Sequence, residues 1–380
     1  MKAIINGKLV FPERIVPGTL LIDDGRIVAA GDVEVPAGAQ IVDAKGLYVG
    51  PGLIDQHIHG YQQYGEAILT CEDPVAVAGC HLKHGTTTLI PTIGYSESME
   101  SHMRFFELCR KAIESGTTPI LGVHMEGPFI NKRYGAKSDL AMTYSDEICE
   151  KLFSLGADIT LHCTYAPELE TAKALEEKMR KYHIRPAIGH TGADPESVER
   201  AVANGATIVT HLYDAMGGWR DWNEAAEMTG DPQDSTSNLL LATAGLYYEL
   251  ICDSAGAHVT KYNVRKTLRC AGEDYVILIS DATVRPTAGK SGDINFNDRG
   301  QLSGSRLCIN MAIRNFMRYT GADIRVAFKC GSTNSAKALG LDNRVGSILP
   351  GRDANILLVD DAFTIHKILF RGEEVAEIRN

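Results

Sequence analysis

The sequence contains no run near the roughly 20 consecutive apolar residues of a membrane-spanning helix. Its opening, MKAIINGKLVFPERIV, has no continuous apolar stretch ahead of a small-residue cleavage site. Both absences lead us to expect a soluble, cytoplasmic protein. An excess of positive charge is also missing: 38 Lys and Arg against 48 Asp and Glu give a net charge of −10, which argues against a nucleic-acid or anionic-membrane surface. Cysteine occurs nine times, an odd number, and never as C-x-x-C. Most of the nine lie in apolar runs, so they read as free structural thiols in a reducing compartment. What is present, 380 residues with 44% hydrophobic and 23% charged, is an ordinary globular composition, long enough for two domains or one large barrel.

The first fifty residues alternate short apolar segments with turns, KAIINGKLV, GTLLIDDGRIVAAG and AQIVDAKGLYVGPG, and the last forty do the same in GSILPGRDANILLVD and AFTIHKILFRGEEVAEI. Neither end offers much core alone, so residues 1–49 and 345–380 are expected to pair into one small β-sandwich domain. Between them, over 50–344, eight β-branched or apolar runs alternate with amphipathic helical segments: GLIDQHIH, TTTLIPT, PILGVHME, DITLHCTY, RPAIGH, ATIVTHLY, YYELICD and YVILISD. Eight βα units over about 250 residues match a TIM-like (β/α)8 barrel. A doubly wound open sheet is the alternative that the same alternation permits.

His57 and His59 stand two apart at the end of the first run, a spacing that puts both on one face of a strand. Glu126, His190, His211 and Asp281 fall at or near the ends of four further runs. In a barrel, all these positions share the C-terminal rim where active sites are built. Imidazole and carboxylate donors without thiolate suit zinc or iron, and manganese also fits. The set exceeds the needs of one ion and serves two metals per chain if Glu126 bridges them, His57 and His59 holding one and His190 and His211 the other. His81 and His84, three apart in HLKHG, read as an exposed helix face; His124 and His162 read as core or supporting residues; His258, in DSAGAH, lies near enough to the rim for a substrate contact.

The segments PGLIDQHIHG, HMEGPFIN, GHT at 189–191, HLYDAM, ISDA and SILPGRDANILLV resemble the amidohydrolase superfamily over essentially the whole chain. HMEGPFIN, HLYDAM and the LSGS of residues 302–305 are similar to its N-acetylglucosamine-6-phosphate deacetylase branch. The fourth run contains no Lys, which fits the branch that uses a Glu on the third strand. The resemblance implies metal binding by His57, His59, Glu126, His190 and His211, and Asp281 as the acid/base that takes a proton from the attacking water and returns it to the leaving amine. It also implies an amide substrate, in the leading reading an N-acetylhexosamine 6-phosphate, and a homodimer.

The segments that meet sugar or phosphate depart from the branch's pattern. HLYDAM carries Asp214 where the branch has Asn; Lys137 stands in place of a His; GGWRDWNEAAEMTGDPQDSTSN, read as a lid, replaces a His-Arg-Glu-Pro-Gly-like segment; and in ungapped register Gly256 takes the place of a carbonyl-polarising His that His258 would have to replace. Asp214 at about 4 Å from a phosphate would cost on the order of 4 kcal/mol at an effective dielectric near 20, which Lys137 and Arg220 would have to offset. The expected substrate contacts are Lys137, Asp214, Ala215, Arg220, His258 and Leu302. The competing substrate class is a different N-acyl amine or a cyclic amide, and the competing role is a catalytically silent binding module.

Overall fold

The computed structural model describes residues 1–219, 234–289 and 291–380. Its centre is a sheet of eight parallel strands: β1 (Leu53–Ile58), β2 (Thr86–Ile93), β3 (Val123–Glu126), β4 (Thr160–Tyr165), β5 (Arg185–Ile188), β6 (Ile208–Val209), β7 (Tyr247–Ile251) and β8 (Val276–Ile279), hydrogen-bonded in that order. These are the eight runs read from the sequence. The first and last strands approach each other at the rim, where Asp281 N donates to His57 O at 3.0 Å and His59 N donates to Ala282 O at 2.8 Å. The result is a nearly closed barrel of the TIM type.

The strands are buried on both faces, which is why they read as continuous apolar runs rather than alternating ones. The helices between them begin where a side chain satisfies their first free N–H groups. Asp73 caps Pro74–Leu82, Ser98 caps Met99–Ser115, Ser145 caps Asp146–Gly156, Asp194 caps Pro195–Ala203 and Thr260 caps Lys261–Ala271. Two of these carry Pro in their first turn, where its missing N–H costs no hydrogen bond. Val198 and Ala201, three apart on Pro195–Ala203, join the barrel's apolar cluster together with Leu152, Phe153 and Leu175 from the helices before it.

Strands from the two chain ends form a second, mostly antiparallel eight-stranded sheet, joined where Tyr48–Pro51 pairs with Ile356–Val359. Lys2–Val10 takes two parallel neighbours along one edge, Gln40–Asp43 at one end and Tyr48–Pro51 at the other. The sheet has its own apolar cluster, including Ile4, Leu9, Leu20, Ile356 and Leu369. A three-stranded sheet not anticipated from the sequence, Thr287–Ala288, Ile294–Phe296 and Leu302–Ser305, follows β8 and stands beside the rim. Among the described residues no helix is long and apolar enough to cross a membrane.

The expected exposure of His81 and His84 is overturned, since both are fully buried. His84 Nε2 meets Tyr61 Oη at 3.1 Å, and the Arg379 guanidinium, from the chain's far end, reaches the same hydroxyl at 3.0 Å. Polar cover for this helix thus comes from elements distant in sequence.

Candidate metal centre and active site

His57 lies on β1, His59 just past it and Glu126 at the end of β3. His190, His211 and Asp281 each sit two residues beyond their strands, and each has a left-handed backbone, with φ of 49°, 30° and 45°. Non-glycine residues seldom hold this conformation without surrounding structure to enforce it. For His190, Glu168 does so, accepting from Thr191 Oγ1 at 2.5 Å and Gly192 N at 2.7 Å. Gly135, with φ of 108°, lets the chain pass so close to His190 that a Cβ there would lie 2.5 Å from Nδ1. For Asp281, Ser305 N donates to its carbonyl at 2.9 Å.

The six side chains form two groups of three, His57 with His59 and Asp281, and Glu126 with His190 and His211. In the first, His57 Nε2 is 3.3 Å from His59 Nε2, and Asp281 Oδ1 is 3.6 Å from the former and 3.5 Å from the latter. In the second, Glu126 Oε1 is 2.9 Å from His190 Nε2 and 3.1 Å from His211 Nε2, which are 3.1 Å apart. Glu126 joins the groups, its Oε2 lying 3.2 Å from His59 Nε2. Donors about 2.0–2.1 Å from one tetrahedral ion are about 3.3 Å from one another, and these separations scatter around that value.

The tautomers fit the same reading. His190 Nδ1 faces Tyr134 O at 3.0 Å, and His211 Nδ1 faces Asp214 O at 3.1 Å. A carbonyl only accepts, so both Nδ1 atoms carry a proton, and in the neutral form of either ring the remaining lone pair, on Nε2, turns inward. His57 Nδ1 faces Glu249 Oε2 at 3.3 Å with the same result. Buried nitrogen lone pairs pointing at one another and at a carboxylate require a cation between them, so this donor set fits divalent metal. Burial pushes the Glu126 carboxyl upward, yet the positive charge that the facing His57, His190 and His59 rings carry when protonated more than reverses this and holds it well below the carboxylate range. Burial likewise works against a charged His57, but Glu126, Glu249 and Asp281 outweigh it and raise its pKa.

The centre opens into a cavity of about 300 Å³. Lys137, Asp214, Ala215 and Leu302 line it, together with His59, Glu126, His190, His211 and Asp281. Lys137 is already engaged, its Nζ 2.7 Å from Asp298 Oδ1. His258 does not line the cavity; its Nδ1 and backbone N both bond Asp253 Oδ2, at 3.1 and 2.9 Å, and its buried Nε2 has no hydrogen-bond partner among the described residues. Burial opposes a charge on His258, but Asp253 and then Asp214 raise its pKa. Arg220 and most of the segment read as a lid lie outside the described residues; the flanks meet where Thr236 N donates to Gly217 O at 2.9 Å. His124 and His162 are buried and stack at 4.0 Å behind the centre.

Two residues escaped the sequence reading. Glu249, fully buried on β7, accepts from Gln56 Nε2 at 2.6 Å and His57 Nδ1, and also from His211 N at 3.4 Å, so one carboxylate steadies a ligand of each group. A charged residue inside an otherwise apolar parallel run was its available signal. Arg285, in the loop after β8, lines the cavity and carried no signal.

A sequence model of the Amidohydrolase family matches residues 48–375. The chain belongs to the amidohydrolase family. Its reaction class is hydrolysis of an amide carbon–nitrogen bond, and the family's chemistry is metal-dependent. N-acetylglucosamine-6-phosphate deacetylase of Lysinibacillus sphaericus is 28% identical over 378 residues, covering 94% of this chain and 93% of that one. The Danio rerio protein of the same name is 28% identical over 358 residues, covering 88% and 86%. The crystal structure of N-acetylglucosamine-6-phosphate deacetylase from Pasteurella multocida superposes with a TM-score of 0.85 at 23% identity, covering 99% of each chain; this last likeness is one of fold.

Proposed function

We propose that this amidohydrolase removes the acetyl group from an N-acetylhexosamine 6-phosphate, with N-acetylglucosamine-6-phosphate as the first candidate, using two divalent ions per chain, zinc or iron, with manganese also suited to the donors. The observation that carries the two-metal reading is the pair of three-donor groups sharing Glu126. The substrate class is supported by relatives aligned over nearly their whole length.

Bound at these donors, divalent ions supply Lewis acidity, which acidifies water and polarises an amide carbonyl. His57 and His59 would hold one ion and His190 and His211 the other, with Glu126 within reach of both. Asp281, its carboxylate facing the first pair at the cavity wall, takes the proton of the attacking water as oxygen bonds to the acetyl carbon. It then passes that proton to the nitrogen, which leaves as a neutral amine once the carbon–nitrogen bond breaks. Acetate and an amino sugar result. Ala215, Asp214 and Leu302 line the cavity and flank the sugar, whereas His258, held by Asp253 outside the cavity lining, is left without a substrate contact.

The proposal includes a homodimer in a reducing cytosol, in keeping with nine free cysteines. It also divides the chain into a sheet domain of residues 1–49 and 345–380 and a hydrolase domain of 50–344, in keeping with the sheet's separate apolar cluster. Metal analysis coupled to free-amine release tests the activity, with N-acetylglucosamine-6-phosphate beside unphosphorylated N-acetylglucosamine. Two ions per chain and turnover favouring the phosphorylated sugar are expected. A metal-loaded enzyme that cleaves neither would overturn the substrate assignment and turn attention to another N-acyl amine, the reading that Asp214 in the cavity wall favours.

A further inference from the structure

Lys137 and Arg285 are the lysine and arginine of the cavity wall among the described residues. Lys137 is spoken for by Asp298. Arg285 pairs with no carboxylate among the described residues, yet it is held firmly. Its backbone N and O are bracketed by the Gln62 side-chain amide at 2.9 and 3.0 Å, and Arg306 Nη2 reaches the same carbonyl at 3.3 Å. Its guanidinium donates from Nε to Ser303 Oγ at 2.8 Å and from Nη1 to Val284 O at 3.0 Å. Both of those acceptors are neutral, and Nη2 meets no protein acceptor among the described residues.

Ser303 completes the arrangement. It lines the cavity and is 7% exposed. Its oxygen accepts from Arg285, so its own proton remains to be donated, and no acceptor for it occurs among the described residues. A guanidinium without a carboxylate partner, held at Nε and Nη1 on a backbone pinned by Gln62 and Arg306, with a hydroxyl beside it whose donor is unused, has the makings of an anion receptor: charge, directed N–H groups and little conformational freedom left to lose on binding. The four carboxylates that line the cavity, Glu97, Glu126, Asp214 and Asp281, form no ion pair with this guanidinium among the described residues.

We propose that Arg285 and Ser303 form the phosphate-reading site, gripping the anionic end of the substrate while its acetamide lies at the metal centre. This rests on the function proposed above and adds the residues that make the enzyme specific. It also answers the repulsion that Asp214 would exert on a phosphate, since the receptor lies on the loop after β8 and the sheet strand beside it rather than on the Asp214 loop.

The test compares Arg285→Gln, Arg285→Lys and Ser303→Ala with the parent enzyme on N-acetylglucosamine-6-phosphate and N-acetylglucosamine, each protein checked for metal content and thermal midpoint. Loss of a charge-assisted contact raises KM for the phosphorylated sugar in Arg285→Gln by about 10- to 100-fold. In that variant kcat and the kcat/KM of the unphosphorylated sugar stay close to the parent values. Arg285→Lys recovers part of the loss, and Ser303→Ala loses less. If the parent enzyme prefers the phosphorylated sugar and Arg285→Gln leaves that preference intact, the inference fails while the function stands. If Arg285→Gln lowers kcat equally on both sugars, the residue shapes the Asp281 rim and the inference again fails. Parent enzyme inactive on both sugars would overturn the underlying function and this site with it.

Discussion

The aim of each imidazole depends on what its other nitrogen does. His190 and His211 are fixed through backbone carbonyls, which mutation of a side chain does not remove, whereas His57 depends on the carboxylate of Glu249. Glu249→Gln keeps the size of the side chain and replaces a charged acceptor of the His57 proton with a neutral one, while its new N–H groups face the donor Gln56. The expected outcome is a drop of about 10- to 100-fold in affinity for the metal held by His57 and His59. The Glu126, His190 and His211 group should be perturbed less, because Glu249 touches it only through the backbone of His211. Stepwise chelator competition followed by metal analysis would read this, and equal loss of both ions, or of neither, would contradict it. All six residues that meet at this centre could be found in the sequence, because each is a polar residue ending an apolar run. Arg285 could not, because its backbone is placed by Gln62 and Arg306 and its guanidinium by Ser303, contacts that no local pattern encodes.

Elements were legible in proportion to how much they bury. All eight barrel strands are apolar runs closed by caps or turns, and all eight lie where the sequence put them. The sheet beside the rim was missed because its strands are short and one of them, Thr287–Ala288, is exposed. The helix Pro74–Leu82 was placed with the wrong exposure for His81 because Gly60 O and the Tyr61 ring supply its cover from outside. The segment Lys329–Thr333, under the barrel, shows how an element can be tied down by charge. Lys329 Nζ is fully buried and lies 3.0 Å from Glu273, 2.8 Å from Asp274 and 3.4 Å from Glu13, while Arg325 also grips Glu273 at 2.6 Å. Arg325, with Lys329 after it, brings the Glu273 carboxyl down to about 2 against the opposing effect of burial. A depressed carboxylate stabilises the fold above its unfolded pKa, near 4.5, and that contribution fades as pH falls from there toward 2. After allowance for solvent screening it amounts to about 2 kcal/mol. Glu273→Gln should therefore be less stable than the parent in urea unfolding at pH 7, with the gap narrowing steadily below pH 4.5. A gap independent of pH would show that the loss is one of packing rather than charge.

At the scale of the whole molecule, the chain-end sheet and the metal centre are mechanically connected. The sheet strand Tyr48–Pro51 is followed after one residue by β1, which carries His57, and a Cβ on Gly50 would lie 2.5 Å from the ring of Phe328 in the helix next to Lys329. A displacement of the sheet is thus carried into the first ligand strand, and closure of the barrel at His57, His59 and Asp281 draws the last strand to the first. In the absence of divalent ions, only protons on the imidazoles offset the lone pairs and carboxylates that converge from five strands, so ion binding favours the closed barrel over any opened form. Metal at a thousandfold excess over its dissociation constant adds about 4 kcal/mol per site to the stability of a protein that binds it only when folded, about 8 kcal/mol for two ions. With an unfolding entropy in proportion to 380 residues, this corresponds to about 10 °C in thermal midpoint. Chelation should lower the midpoint of the whole protein by about that amount, with sheet and barrel still melting together, and readdition of zinc or iron should restore it. Glu126→Gln, which weakens the one carboxylate common to both groups, should start from a lower midpoint and respond less to the chelator. Calorimetry would decide the matter: a chelator shift confined to one of two separated transitions would mean that the sheet does not share in the stability the metal confers.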